Sequence, residues 1–328
     1  MARKIIVVAT PTSPLLPHLL HALQHELDLE VAVLTWHTSV SVPGSGSKSR
    51  SHPHSHNVST KGYHHVSEIT HIQINFSEFE LRKYFQNVHT IICTLTGSDL
   101  RLSSLVIDAA TAAGAKLFIP SEYGLDTSNC KVRELLPPYR TRLEIQEKLR
   151  ASGMDWKAIY AGIGLEDAMK TDGVVGVDAL WASVVIFPGS EEVKVAVSSY
   201  ADIVRSIISI VRGEENAGTA ANEVYICGFM CTLNEVIAVV EKELEKYLDR
   251  YEGDLKGAER EATERMQRGY FDGGVALMGR VAVWDQNVNA WGAWKDHKGK
   301  DTDEWENELR KVVRQVRNGD IGGDGCGC

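Results

Sequence analysis

The sequence predicts an α/β protein: a Rossmann-like, doubly wound parallel sheet with a smaller α/β C-terminal domain. Three observations carry this. Residues 4–9 (KIIVVA), 30–34 (EVAVL), 88–95 (VHTIICTL), 116–119 (KLFI) and 156–160 (WKAIY) are apolar runs of strand length. Segments with helical spacing separate them. The runs do not alternate polar and apolar residues, so both faces of their sheet are covered, as in a parallel α/β sheet.

Each element follows from local signals. After the first strand, Leu16, Leu19, Leu20 and Leu23 recur at helical spacing. Residues 102–113 read as a helix stopped by Gly114, and Pro120 stops the strand at 116–119. Residues 142–152 form an amphipathic pattern closed by Gly153. Residues 222–227 (NEVYIC) predict a strand, 232–251 a long charged helix, and 247–268 further helix. The expected division is a dinucleotide-binding-type domain over residues 1–160 and a mainly substrate-binding domain over 161–328. Within the latter, residues 193–228 are expected to return to the first domain. Two segments cannot bury enough apolar surface to order themselves: the Ser/His/Gly/Pro-rich loop at 41–66 and the Gly-rich tail at 318–328.

Composition narrows the function classes. A formal net charge of -9 argues against a nucleic-acid surface, which needs a basic stripe. No apolar run reaches the ~20 residues of a membrane helix. The basic start and short apolar run of MARKIIVVATP are followed by prolines and a histidine rather than a cleavage site, so they read as a first strand. Cys93, Cys130, Cys227, Cys231, Cys326 and Cys328 lack zinc-finger spacing and predict a cytoplasmic protein with reduced thiols. His52, His54, His56, His64 and His65 in the loop read as adventitious affinity, so no metal is expected. The expected partner is a small-molecule substrate; a homodimer stays open.

The stretch IDAATAAGAKLFIPSEYGLD, with NCKVRELLPPY, EIQEKLRASGMDW, VAVSSYADIVRSIISIV and VYICGFMCTLNEVIAVVEK, resembles the NmrA-like and isoflavone-reductase-like family of atypical short-chain dehydrogenases, in its fungal form. IPSEYG is fairly specific, and the other matches persuade by their order. The resemblance covers nearly the whole chain. It implies a Rossmann domain, a C-terminal substrate domain and a cleft between them. It implies either NADPH-dependent reduction of aromatic or other specialised metabolites, or dinucleotide sensing without turnover.

The family's GxxGxxG turn falls here on Thr10, Ser13 and Leu16. Those glycines permit a tight turn, close approach of backbone to the pyrophosphate, and helix–strand packing. None is present, and Pro11 and Pro14 remove two N–H donors. Where NADPH-using relatives place an arginine after the second strand, this chain has Trp36 and His37. Their catalytic lysine aligns with Arg142, which stays charged and cannot serve as a general acid or base at neutral pH. Thr96 completes this degenerate cofactor set.

The remaining candidates are catalytic Glu122, Tyr123, Tyr139 and Arg142, with Ser121, Tyr160 and Trp284 in the substrate pocket. A Tyr–Arg–Glu set can polarise a carbonyl and move a proton without a cofactor. Each has a bland counterpart: Glu122 as a loop brace, Tyr123 and the tryptophans as packed aromatics, Arg142 as a solvated charge, and Asp167 as a cap. The favoured expectation is non-redox chemistry (cyclisation, isomerisation, dehydration or an aldol-type step) on an aromatic or polyketide-type carbonyl compound of fungal specialised metabolism, with no cofactor. The alternatives are an NADP(H)-dependent reductase and a non-catalytic regulator.

Overall fold

The structure is a computed structural model and describes residues 3–26, 28–36, 69–170, 173–214 and 222–320. The loop expected at 41–66, His37 and tail residues 321–328 lie outside the described residues. The chain divides into two compact units: Met1–Ile119 with Lys148–Trp156, and Pro120–Glu147 with Lys157–Cys328. Residues 193–228 group with the second unit.

The first unit is built on β1 (Arg3–Ala9), α1 (Leu15–Leu23), β2 (Leu29–Thr35), β3 (Thr70–Gln73), α2 (Glu78–Tyr84), β4 (Thr90–Thr94), α3 (Ser103–Ala113) and β5 (Leu117–Ile119). It closes with β6 (Asp155–Trp156), whose strand completes a six-stranded sheet of order β3-β2-β1-β4-β5-β6. Every pairing in it is parallel. The order reverses between β1 and β4, so the switch-point crevice of a Rossmann sheet opens there. Ile5 to Ala9 and all of β4 are buried, as unbroken apolar strands require. Leu15, Leu19 and Leu23, four residues apart, bury one face of α1. Ser77 caps α2 by accepting the Glu80 amide, and Gly114 (φ 75°) ends α3.

Between these strands lie α4 (Cys130–Leu135) and α5 (Pro137–Ser152), which belong to the second unit as far as Glu147. The apolar run at 156–160 is not one strand. Asp155–Trp156 pairs with β5, whereas β7 (Ala158–Tyr160) pairs with β12 (Glu223–Tyr225), so each half takes a different parallel partner.

The second unit continues with β8 (Ile163–Gly164), α6 (Leu165–Ala168), β9 (Val177–Asp178), β10 (Ser183–Ile186), β11 (Val195–Ser198) and α7 (Tyr200–Arg212). After β12 come β13 (Phe229–Cys231), α8 (Leu233–Leu244), β14 (Asp249–Glu252), α9 (Leu255–Gln267), α10 (Phe271–Trp284) and α11 (Thr302–Asn318). Its strands form three small sheets, β14-β10-β9, β13-β11-β8 and β12-β7. A capping box between Thr232 and Glu235 starts α8. The helix expected over 232–251 stops at Leu244, where Glu245 turns left-handed (φ 51°), and residues 249–252 instead pair with β10. All four residues of β14 are exposed, so no apolar alternation marks it as a strand. Phe229 stacks on Trp305 at 5.1 Å inside this unit's core.

Candidate active site

In the first unit, the turn after β1 is closed by side chains. The Thr10 hydroxyl accepts the Thr96 amide at 3.0 Å and donates to the Asp99 carboxylate at 3.3 Å. Thr96 and Asp99 follow β4, so these bonds span the switch point. The Ser13 amide is spent on the Thr10 carbonyl (2.9 Å) and the Leu16 amide on the Ser13 carbonyl (3.1 Å). Pro11, Pro14 and Pro17 have no amide to offer. Leu16 is half-buried, whereas Thr10 and Ser13 are buried. Trp36 packs edge-on against Phe76 (4.6 Å, 67°) and brings no charge. A diphosphate at this seat takes several outward N–H donors and a positive end. The donor set here does not fit it: the Ser13 and Leu16 amides are spent within the turn, three prolines offer none, and the Asp99 carboxylate stands beside them.

The second unit holds a cavity of about 420 Å³ lined by residues from several of its elements. That volume is within the about 300–1,000 Å³ range typical of small-molecule sites. Tyr123, Gly124 and Tyr139 form one polar grouping in its wall, and Asp167 and Lys170 another. Leu125, Leu136, Ile163, Val174, Val275 and Val283 make most of the remainder aliphatic.

The candidate residues divide into two layers. Tyr123 and Tyr139 line the cavity. The Tyr139 hydroxyl accepts the Leu125 amide at 2.9 Å, which leaves its own proton to donate. The guanidinium of Arg142 lies 4.4 Å over the Tyr139 ring, behind the lining layer, with Nε and Nη1 buried and without a hydrogen-bond acceptor among the described residues. Glu122 is fully buried; its oxygens accept Thr127 Oγ1 at 2.7 Å and Gln146 Nε2 at 2.9 Å. Burial pushes its carboxyl above the usual range, against the pull of Arg142 and of these two donors. Gln146 Nε2 also donates to the buried Tyr160 hydroxyl at 2.9 Å, and burial pushes that phenol up too. Glu122, Gln146 and Tyr160 therefore form a buried brace. Ser121 is buried beside Glu122 in the chain. Trp284 is 2% exposed and packs in the unit's core. Trp294 is likewise buried, donating to the Ile226 carbonyl at 2.9 Å.

Asp167 and Lys170 fall in the stretch GLEDAMK, which reads as an ordinary cap and turn. The only sequence signal toward them is the acid–lysine spacing of three, which many surface turns share. Their carboxylate and ammonium are 2.7 Å apart. Among the described residues, no group of three or more His, Cys, Asp or Glu is placed to hold a metal. Nor is any helix among them long and apolar enough to cross a membrane.

Gly124 keeps the tyrosine edge of the cavity in place. A Cβ there would stand 2.6 Å from Tyr139 Oη and 3.2 Å from Arg142 Nη1. Gly124→Ala is therefore expected to displace Tyr139, break its bond to Leu125, and lower stability by about 2 kcal/mol. A urea titration following tryptophan fluorescence checks this; an unchanged midpoint would show that the pair yields without loss.

A Rossmann-type first unit and a second unit with a ligand-sized, mostly aliphatic cavity define the class of protein. The chain belongs to the NmrA-like family, whose model matches residues 63–261. It is 36% identical over 99 residues to oxidoreductase aprR of Aspergillus flavus, a match covering 29% of this chain and 33% of that protein. It is 25% identical over 216 residues to an NmrA-like family domain-containing oxidoreductase of Gibberella moniliformis, covering 65% and 70% of the two. The solved leucoanthocyanidin reductase of Vitis vinifera, in binary complex with NADPH, aligns with a TM-score of 0.65 and 13% identity over 93% of this chain and 99% of that one. At that identity the likeness is one of fold.

Proposed function

We propose that this NmrA-like protein is an enzyme acting on an apolar, carbonyl-bearing small molecule by non-redox proton transfer. Cyclisation, isomerisation, dehydration and aldol-type steps all belong to this class. The substrate sits in the cavity of the second unit. Tyr139 donates its hydroxyl proton toward the substrate oxygen, and Tyr123 shares that edge. Arg142 acts from behind, as a positive charge over the Tyr139 ring rather than as a substrate contact. Glu122 and Tyr160 serve as the brace that sets this layer, tied through Gln146.

The observation that carries the non-redox reading is the Thr10–Thr96–Asp99 bridge across the switch point. It occupies the Thr96 amide and the Thr10 hydroxyl and sets a negative charge beside the turn, which disfavours a diphosphate there. The second reading is an NADP(H)-dependent oxidoreductase. It is favoured by the oxidoreductase names of both fungal relatives and by the NADPH held in the reductase of the same fold. A titration of NADPH into the purified protein, followed by nicotinamide fluorescence, separates the two. No saturation in the micromolar range is expected. Saturable micromolar binding makes the reductase reading the correct one.

A further inference from the structure

Lys170 lies at the polar edge of the cavity that no sequence expectation reached. Its ammonium is held by Asp167, which a further element of the second unit anchors. Asp167, in α6, accepts one of its protons through Oδ1 at 2.7 Å. The other oxygen of Asp167 accepts the Tyr200 hydroxyl, from the first turn of α7, at 2.8 Å. Both oxygens of the preceding Glu166 accept the Tyr200 backbone amide, at 3.1 and 3.0 Å. Two consecutive acids thus grip the two ends of one tyrosine, and Asp167 cannot swing away without releasing it. Gly173 lies hard against α6: a Cβ on it would stand 2.1 Å from the Ala168 carbonyl oxygen. Arg280, on α10, donates to the Gly173 carbonyl at 3.1 Å, tying Gly173 to the helix that supplies Val275, Gly279 and Val283 to the cavity wall.

An i,i+3 ion pair on an open surface holds its partners loosely and contributes little. Asp167 is itself 53% exposed, and this pair differs in its second partner, the Tyr200 hydroxyl. Both Asp167 oxygens are engaged, so the carboxylate is held in one pose. Asp167 takes one of the three ammonium protons of Lys170, and the Lys170 side chain is 30% exposed, so protons remain for an oxygen in the cavity. Aliphatic walls strengthen a charge-assisted hydrogen bond there.

We propose that Lys170 is an oxyanion-binding residue: it receives the oxygen of an enolate or phenolate, with Asp167 and Tyr200 as positioning residues. The ligand class is then an enolisable carbonyl compound or a phenol, bound in its ionised form. This rests on the reading of the cavity as the substrate site but not on the cofactor question.

The probe is para-nitrophenol, whose phenol and phenolate forms differ in visible absorbance, with para-nitroanisole as its non-ionising isostere. Both are titrated into the full-length protein at a single pH near the midpoint of the unbound phenol. Wild type is expected to raise the phenolate-to-phenol ratio of the bound probe about tenfold. K170M is expected to erase that preference and keep its affinity for para-nitroanisole, whereas K170R preserves the preference. D167N is expected to enhance it, because the lysine charge is no longer neutralised. An unchanged phenolate preference in K170M overturns the proposal. So does wild type that binds para-nitroanisole without preferring the phenolate; that result leaves the cavity reading standing. Failure of both probes to bind wild type overturns the proposal and the cavity reading together.

Discussion

Replacing Gln146 with leucine is expected to destabilise the protein by about 3 kcal/mol at neutral pH. Gln146 is 1% exposed, and its Nε2 donates at 2.9 Å to both Glu122 Oε1 and the Tyr160 hydroxyl. Leucine has nearly the same volume, so the loss is polar rather than a cavity. Two buried acceptors lose their shared donor, and Thr127 remains on the other Glu122 oxygen. Burial already raises the Glu122 carboxyl, and removal of a donor that favours its ionised form raises it further. The deficit is therefore expected to shrink in acid, where the carboxyl is protonated in both variants. Urea denaturation at neutral and acidic pH measures both effects. A loss below about 1 kcal/mol at neutral pH would show that the brace is not a single unit.

Glu166→Gln is expected to raise stability above neutral pH and to flatten its pH dependence. Burial pushes the Glu166 carboxyl from 4.5 up to about 7, aided by the charges of Asp167 and Glu308 and opposed by its own and the Tyr200 amides. A carboxyl raised by folding favours the native state only while protonated. Its contribution is whole below about pH 4.5 and is lost as pH rises to about 7. At about 1.4 kcal/mol per pKa unit, the wild-type penalty by mildly alkaline pH is about 3 kcal/mol. Glutamine keeps an oxygen for the Tyr200 amide and carries no charge to desolvate. Melting temperatures in mildly acidic and mildly alkaline buffer test this. The variant should melt higher than wild type in the alkaline buffer and show a smaller difference between the two; equal slopes would place the titration elsewhere.

Much of the first unit is legible in the chain because β1, β2, β4 and β5 carry continuous apolar runs. β4 and β5 fall within the segments that read as strands, β1 and β2 contain theirs with a residue to spare, and Gly114 ends α3 where expected. The exceptions lack that signal. β3 is four residues long, with one half-buried and three exposed. β14 is fully exposed and is indistinguishable from the end of a charged helix. The division of residues 155–160 between two sheets depends on which strands stand beside each half, which local pattern does not encode.

The site separates in the same way. Tyr123 is visible in IPSEYG and Tyr139 at the end of NCKVRELLPPY, and the lack of glycines between Thr10 and Leu16 is plain on sight. The partner that Thr10 takes, Asp99, is 89 residues away. Lys170 gains its setting from Tyr200 and from Arg280 on α10, more than a hundred residues on. What the amino-acid order alone determined was the parallel sheet and the glycine-free first turn, since both depend on side-chain type within a few residues. Only the tertiary structure decided which polar groups share one cavity and which stand behind it. Hydrogen bonds and aliphatic walls that join distant segments depend on the packing of whole elements, and no short stretch of sequence carries that information.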